Sequence, residues 1–159
     1  MVKNKLEKMF SKSIHNDRTL YGMKLHNNPL AHQNTPADYF INLEKTPDGM
    51  SELWSVLVEC KQVTCREGKG RLAFKRLKQM HDLLMFKSFS HFHEAYWCIA
   101  FWDGSWADSE IYLIPTTEMK QFIDNCKFVS VNRHDMHNEF NHRLCQIETG
   151  SIINIRRYI

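Results

Sequence analysis

The sequence predicts an α/β fold in which a mixed central β-sheet is flanked by helices. Apolar runs with a two-residue period, at 53–63 and 95–102, are typical of buried strands. Segments with apolar residues at helical spacing come before and between these runs. The predicted order is helix, strands, helix, strand, strand, helix and tail, and such an alternation favours helices layered on a sheet.

Length and composition limit the possibilities further. The chain has 159 residues, which predicts a single domain with its core at about 1–125 and a C-terminal extension at 126–159. A net charge of +3 is too small to indicate a nucleic-acid partner by itself. Five cysteines without a Cys-x-x-Cys motif favour free thiols in a reducing cytoplasm. Because no apolar run reaches membrane-spanning length, we expect a cytoplasmic protein without membrane contact.

The first predicted element is an amphipathic helix at the N-terminus. Glu7 lies at the border of its apolar stripe, which follows helical spacing. The stripe consists of Val2, Leu6, Met9, Phe10 and Ile14. A short strand is predicted at 21–25, and the polar stretch that follows, as far as Thr35, is predicted to be a loop.

The apolar stretch 53–63 is predicted to be the strand around which the chain is organised. Its even-numbered residues from Val56 to Cys60 share one face, whereas Leu57, Glu59 and Lys61 share the other. Burial of charge is costly unless the charge is paired or used. Glu59 and Lys61 therefore mark a candidate functional site.

A second predicted strand, at 36–43, has Asp38 at its start. The turn at 46–49 contains Pro47 and Gly49 and would join this strand to the central one as a hairpin. That pairing would bring Asp38 beside Glu59. Two adjacent carboxylates form a hard-oxygen site suited to Mg²⁺.

These residues resemble a known nuclease signature. Pro36-Ala37-Asp38 followed by Glu59-Cys60-Lys61 is similar to the PD-(D/E)xK motif, and the order of elements resembles the RecU and Hjc-type Holliday junction resolvases and their phage relatives. The resemblance covers about residues 1–125. It implies a restriction-endonuclease-like core, a homodimer, and hydrolysis of branched DNA with Mg²⁺ or Mn²⁺ as cofactor. It also implies a bacterial, archaeal or virus-infected host cell.

The resemblance assigns roles to individual residues. Asp38, Glu59 and the backbone carbonyl of Cys60 would hold the metal. Lys61 would orient or deprotonate the attacking water and stabilise charge on the phosphate. Glu7 matches a first-helix glutamate that reaches the active site in these resolvases. The resemblance thus predicts four catalytic side chains and one backbone ligand.

A basic run beside the site is predicted to follow the DNA backbone. Most of it lies on a predicted helix at 71–86, after a polar loop at 63–70. The predicted contacts are Arg66, Lys69, Arg71, Lys75, Arg76, Lys78, Gln79 and His81. The resembled family often has a glutamine where this chain has His81, which is a departure from its pattern.

The remaining elements are predicted from turn and cap signals. Strands at 95–102 and 109–114 would form a hairpin around Asp103 and Gly104. A helix at 118–126 would be capped by Thr116 or Thr117, and 152–155 would form a final strand. Arg156 and Arg157 would then contact DNA or a second subunit.

Several alternatives stay open at this level. Glu59 and Lys61 could be a structural ion pair on an edge strand, and the basic run a solvated helix face. His91 with His93 could bind a metal, as could a second group in the tail, although the spacing of that group matches no common zinc pattern. The second group is His134, His137, His142 and Cys145. The protein could also be a restriction or repair endonuclease acting on duplex or flapped DNA, or a DNA-binding module without catalysis.

Overall fold

The computed structural model of the chain describes residues 4–25, 37–89 and 93–159. Predictions for Val2, the polar loop up to Thr35, Pro36 and His91 lie outside the described residues. The helices are α1 (Lys5–Asn16), α2 (Met80–Phe89), α3 (Thr116–Asn125), α4 (Arg133–Phe140) and α5 (Ile155–Tyr158). The strands are β1 (Leu20–Lys24), β2 (Tyr39–Lys45), β3 (Glu52–Thr64), β4 (Arg71–Ala73), β5 (Glu94–Trp102), β6 (Glu110–Pro115), β7 (Ser130–Asn132), β8 (Ile147–Glu148) and β9 (Ile152–Ile153).

A five-stranded mixed sheet forms the centre of the structure, in the order β1-β2-β3-β5-β6. The β3–β5 pair is parallel, and the other three pairs are antiparallel. Two small ladders, β4–β7 and β8–β9, lie outside this sheet. The predicted α/β class with a mixed sheet flanked by helices is therefore confirmed. Among the described residues, no helix is long and apolar enough to cross a membrane.

The predicted hairpin around the turn at 46–49 is also confirmed. β2 and β3 pair from Tyr39 opposite Val58 to Lys45 opposite Glu52. Asp48 and Gly49 take positive φ angles of 54° and 77°, which Gly tolerates without steric cost and Asp more readily than most residues. The tight turn leaves the two strands in direct antiparallel register.

Alternating side chains of the sheet enter two separate apolar cores. Val56, Val58 and Cys60 of β3 belong to the core that α1 covers, whereas Leu57 and Val63 belong to the core on the opposite face. The α1 helix contributes its buried apolar stripe to the first core, and Leu83 of α2, Met119 of α3 and Met136 of α4 contribute to the second. This two-residue alternation is the one that the sequence predicts.

Residues beyond 125 contribute to both cores. Val131, Met136 and Phe140 lie in the second core, and Cys145 and Ile153 lie in the first. Arg156 donates through Nη2 to the Glu44 carbonyl, and Arg157 lies within 3.4 Å of Gln146 Oε1. Both arginines, predicted to face DNA or a second subunit, have contacts within the chain.

The predicted helix at 71–86 is wrong in its first half. Residues 71–73 form β4, which pairs with β7 almost 60 residues later, and 74–76 form a 3₁₀ turn before α2 begins at Met80. Apolar spacing over 73–84 fits a helix locally, but a long-range ladder determines the backbone of its first residues. The basic residues of this region consequently do not lie on one helix.

Smaller corrections concern strand position and helix caps. β3 is the middle strand of five, but its pairing with β2 ends at Val58, so Glu59 and Lys61 lie on a stretch that pairs with β5. Thr116 is a buried first residue of α3 rather than its cap, and its hydroxyl donates to the Ala95 carbonyl at 2.7 Å. The final strand is confined to Ile152–Ile153, since Ile155 begins α5.

Candidate active site

The candidate site lies where β3 extends past the end of β2. β2 begins at Tyr39, which lies opposite Val58, and β3 continues beyond this pair. Asp38 adds one backbone bond, from its N–H to the Val58 carbonyl at 3.1 Å. Its carboxylate then accepts from the Cys60 N–H at 2.8 Å. The side chain of Asp38 thus replaces the strand partner that β2 no longer supplies, and this fixes the carboxylate beside β3.

Glu59 and Lys61 lie next to this carboxylate on β3. The Lys61 Nζ donates to Glu59 Oε1 at 2.9 Å, and Asp38 lies close enough to contribute to the raised pKa of Glu59. Glu59 is only 4% exposed. The structure therefore brings together the three residues on which the nuclease resemblance depends.

Burial and mutual repulsion raise the pKa of both carboxyl groups. The pKa of Glu59 rises from 4.5 to about 7, first because the group is buried and second because Asp38 faces it, although Lys61 acts in the other direction. The pKa of Asp38 is also raised, chiefly by burial, while the Cys60 N–H opposes the rise. One ammonium does not balance two desolvated carboxylates, so the site favours a further positive charge.

Glu7 approaches the site from the N-terminal turn of α1. Its Oε2 accepts from the Lys24 ammonium at 2.6 Å, and its Oε1 accepts from the side chain of Asn4, the N-cap residue. The charge of Glu7 also contributes to the raised pKa of Asp38. Tyr39 donates from its hydroxyl to the Glu7 carbonyl at 2.9 Å and so ties α1 to the start of β2.

A polar cleft of about 330 Å³ connects these groups. It is lined by Asn4, Glu7, Asp38, Glu59, Cys60, Lys61, Gln62, Thr64 and Arg76. Gln62 accepts from the Leu6 N–H through Oε1 at 3.0 Å, and Arg76 donates from Nη2 to the Gln62 carbonyl at 2.8 Å. The cleft thus combines carboxylates with the cations of Lys61 and Arg76.

The donor set fits a magnesium ion that shares its coordination with substrate and water. Among the described residues, no three His, Cys, Asp or Glu side chains are grouped closely enough to hold a metal by themselves. Mg²⁺ commonly uses one or two carboxylates together with waters and phosphate oxygens. Asp38 and Glu59 supply such a pair, and Cys60 borders the same cleft.

The other predicted DNA contacts are distributed over several elements. Arg66 and Lys69 pair through their backbones across the β3–β4 turn, and Arg71 bonds to Ser130 through Nε at 2.9 Å. Lys75 and Lys78 are exposed on the segment that leads to α2. Of the predicted basic contacts, Arg76 lines the cleft together with Lys61.

Gln79 and His81 lie at the start of α2 and do not line the cleft. Gln79 is half-buried, and its Oε1 has no hydrogen-bond partner among the described residues. His81 is exposed. The structure therefore leaves both residues outside the group of carboxylates.

The histidines of the C-terminal extension each contact a different partner. His137 faces Tyr112 and Glu110, and His142 bonds to Glu118. His134 faces Asn138 on α4. His93, the described member of the His91–His93 pair, accepts the Ser55 N–H at 3.1 Å and stacks on Trp54.

Sequence reasoning missed Asn4, Lys24, Tyr39, Gln62 and Thr64 as residues around the site. Asn4 followed three residues later by Glu7 is a recognisable helix-start pattern, so the contact between Asn4 and Glu7 could have been predicted from the sequence. The position of Lys24 beside the site depends on the β1–β2 register, in which Lys24 lies opposite Tyr39. No local pattern reveals that register.

Comparison with known proteins adds no family assignment. No protein-family model matches the sequence, and no curated protein matches it with significance.

Proposed function

We propose that the protein is a Mg²⁺-dependent endonuclease of the PD-(D/E)xK type that hydrolyses phosphodiester bonds in branched DNA, with the Holliday junction as its substrate. The observation that carries this proposal is the convergence of Asp38, Glu59 and Lys61 at one end of the β2–β3 hairpin. The mixed sheet, with helices on both faces, suits a restriction-endonuclease-like core.

The carboxylates of Asp38 and Glu59 would hold the divalent cation, together with the carbonyl of Cys60. When bound, such a cation neutralises phosphate charge and lowers the pKa of water. Mn²⁺ would serve in place of Mg²⁺, because it accepts the same oxygen ligands. The raised pKa of Glu59, about 7, makes this carboxyl responsive to a nearby positive charge.

Lys61 would contact the scissile phosphate and the attacking water. Its ammonium is held 2.9 Å from Glu59 and is largely shielded from solvent, with 19% of the side chain exposed. A preorganised cation in a shielded site stabilises developing negative charge more strongly than one in bulk water. Arg76, anchored to the Gln62 carbonyl, would hold an adjacent phosphate.

Glu7 would complete the site from α1 by accepting a hydrogen bond from water or by positioning Lys24. The exposed cations of the β3–β4 region would follow the DNA backbone and make binding sensitive to salt. A four-way junction has two equivalent strands to cut, so a two-fold symmetric homodimer suits it.

The test is cleavage of a synthetic four-way junction beside linear duplex of the same sequence, with Mg²⁺ or with a chelator. We expect paired symmetric cuts in the junction that disappear with the chelator and in the Lys61→Ala variant. Equal cutting of linear duplex would instead indicate a restriction or repair endonuclease. If the protein bound the junction tightly but did not cut it, and Lys61→Ala bound equally well, the protein would be a DNA-binding module without catalysis.

A further inference from the structure

The loop at 127–129, between α3 and β7, exposes two apolar side chains side by side. Phe128 is 73% exposed and Val129 is 83% exposed. Phe128 is the most exposed aromatic residue in the described part of the chain, where Tyr21 follows at 64%. Burying such a ring against a partner is favourable, because it removes a large apolar area from water.

Backbone hydrogen bonds hold this loop against the segment that carries the basic residues. The Phe74 N–H donates to the Val129 carbonyl at 2.9 Å, and β7 continues from the loop in register with β4, with Ser130 opposite Ala73. Arg71 reinforces the contact through Nε, which donates to Ser130 Oγ at 2.9 Å. The loop is therefore presented from a fixed base.

The same segment connects the loop to the active cleft. Phe74 bonds to the loop, and Arg76, two residues later, lines the cleft and donates to the Gln62 carbonyl. Two residues span at most about 7 Å of backbone. The 127–129 loop is consequently joined to the lining of the cleft through the short segment 74–76.

The charges around the loop favour a polyanion. Arg71, Lys75 and Arg76 lie within three residues of Phe74, which bonds to the loop, and Lys127 belongs to the loop itself. Asp135 and Glu139 of α4 line, together with Arg71, a cavity of about 550 Å³ that also borders Phe128. Two copies of the chain that met through this cationic side would repel each other. A nucleic acid supplies phosphates for the cations and base faces for the ring.

We infer that the 127–129 loop recognises DNA structure, with Phe128 stacking on an unpaired or terminal base at the branch while Arg76 holds a phosphate in the cleft. This inference rests on the proposed nuclease function. In continuous duplex the base faces are covered by their neighbours, whereas a branch point exposes them to an apolar wedge. The loop would therefore be the source of a preference for branched DNA.

The test measures binding rather than cleavage, in the presence of a chelator. A four-way junction with 2-aminopurine at its branch and a linear duplex of the same sequence are titrated with the native protein, Phe128→Ala and Phe128→Trp. We expect Phe128→Ala to weaken junction binding about 10-fold, to abolish the fluorescence change and to leave duplex binding unaltered. Phe128→Trp retains a ring and should bind the junction within about two-fold of the native protein.

Met50→Ala provides the matched control, since Met50 is 76% exposed at the distant β2–β3 turn. It should leave the affinity for both DNAs unchanged. Junction binding by Phe128→Ala that equals native binding would overturn the inference, as would equal weakening for both DNAs. A change from dimer to monomer in Phe128→Ala would also overturn it and would assign the surface to a second copy of the chain.

Failure of this inference and failure of the proposed function remain distinguishable. A protein that cuts junctions with Mg²⁺ but binds them without help from Phe128 contradicts the inference alone. A protein that never cuts DNA contradicts the nuclease proposal, whereas the chelator titration still reports whether Phe128 contacts a branch.

Discussion

Glu59 and Glu118 are two shielded carboxylates of the same fold with opposite electrostatic surroundings. Arg143 contacts Glu118 Oε2 through Nε at 2.9 Å and Nη2 at 2.8 Å, and His142 bonds to the other oxygen. Although burial acts to raise it, the pKa of Glu118 is lowered by these two partners. The pKa of Glu59 is raised instead, to about 7, by burial and by Asp38.

The two carboxylates differ in how fully the chain itself balances their charge. Glu118 has the guanidinium of Arg143 as its counter-charge within the chain, and this pair links α3 to the 3₁₀ turn that follows α4 without needing a ligand. Glu59 shares one ammonium with Asp38, which leaves the pair with excess negative charge in a cleft. Perturbed carboxyl groups of this kind are enriched at functional sites.

The largest expected effect is on cleavage. We expect Glu59→Gln, and likewise Asp38→Asn, to slow cleavage of a four-way junction by about 10³-fold, or about 4 kcal/mol, because the neutral amide binds a cation poorly. Initial rates at saturating Mg²⁺ measure this change. Glu118→Gln is the matched control and should cleave within about two-fold of the native rate. Equal losses in both glutamine variants would remove the distinction between the two sites.

The second effect is a dependence of stability on pH in the absence of divalent cation. Because the pKa of Glu59 is higher in the folded chain than its ordinary value of 4.5, the folded state binds more protons between about pH 4.5 and 7. The free energy of unfolding should therefore fall as pH rises through this window, by about 2 kcal/mol. Urea titrations with chelator at pH 5 and pH 8 measure it.

Glu59→Gln should flatten this pH dependence and be more stable than the native protein at pH 8. Glu118 contributes with the opposite sign, because its pKa is lowered. Its contribution is present above its ordinary pKa and is lost as pH falls through the lower, folded value. A Glu59→Gln variant with the same pH dependence of stability as the native protein would contradict the assigned repulsion between Asp38 and Glu59.

The sequence predicted Glu59 far better than Glu118. A charge at the end of an apolar strand stands out locally, and a hairpin with an obvious turn placed Asp38 beside it. The partners of Glu118 lie 24 and 25 residues away on an element that no periodicity identifies. Local patterns are informative where neighbours in space are also neighbours in sequence or in one hairpin.

The same limit explains the errors around the site. The β4–β7 ladder joins residues 71–73 to residues 130–132, and it replaced the predicted first half of a helix. As a result Arg76 reaches the cleft from a 3₁₀ turn, whereas Gln79 and His81 stay outside the lining. Helical spacing could identify the basic segment but not the long-range ladder that orients it.

The third effect is stabilisation by magnesium. At pH 8, Mg²⁺ at ten times its Kd should raise the free energy of unfolding by about 1.4 kcal/mol, because it binds the folded state and relieves the repulsion. Thermal unfolding of the native protein and of Asp38→Asn, each with and without Mg²⁺, measures the shift. The variant should show little or none of it. An equal shift in both proteins would indicate cation binding elsewhere on the chain.

The smallest effect concerns the control site itself. Glu118→Gln should destabilise the fold by about 1 kcal/mol, since Arg143 and His142 lose a charged acceptor in a partly solvated network. Because no ligand completes this network, adding Mg²⁺ should not change the size of that loss. Urea unfolding of both proteins with and without Mg²⁺ checks this. A Glu118→Gln variant that abolished the magnesium shift would show that the carboxylate with internal partners is coupled to the cleft, and the contrast with Glu59 would then fail.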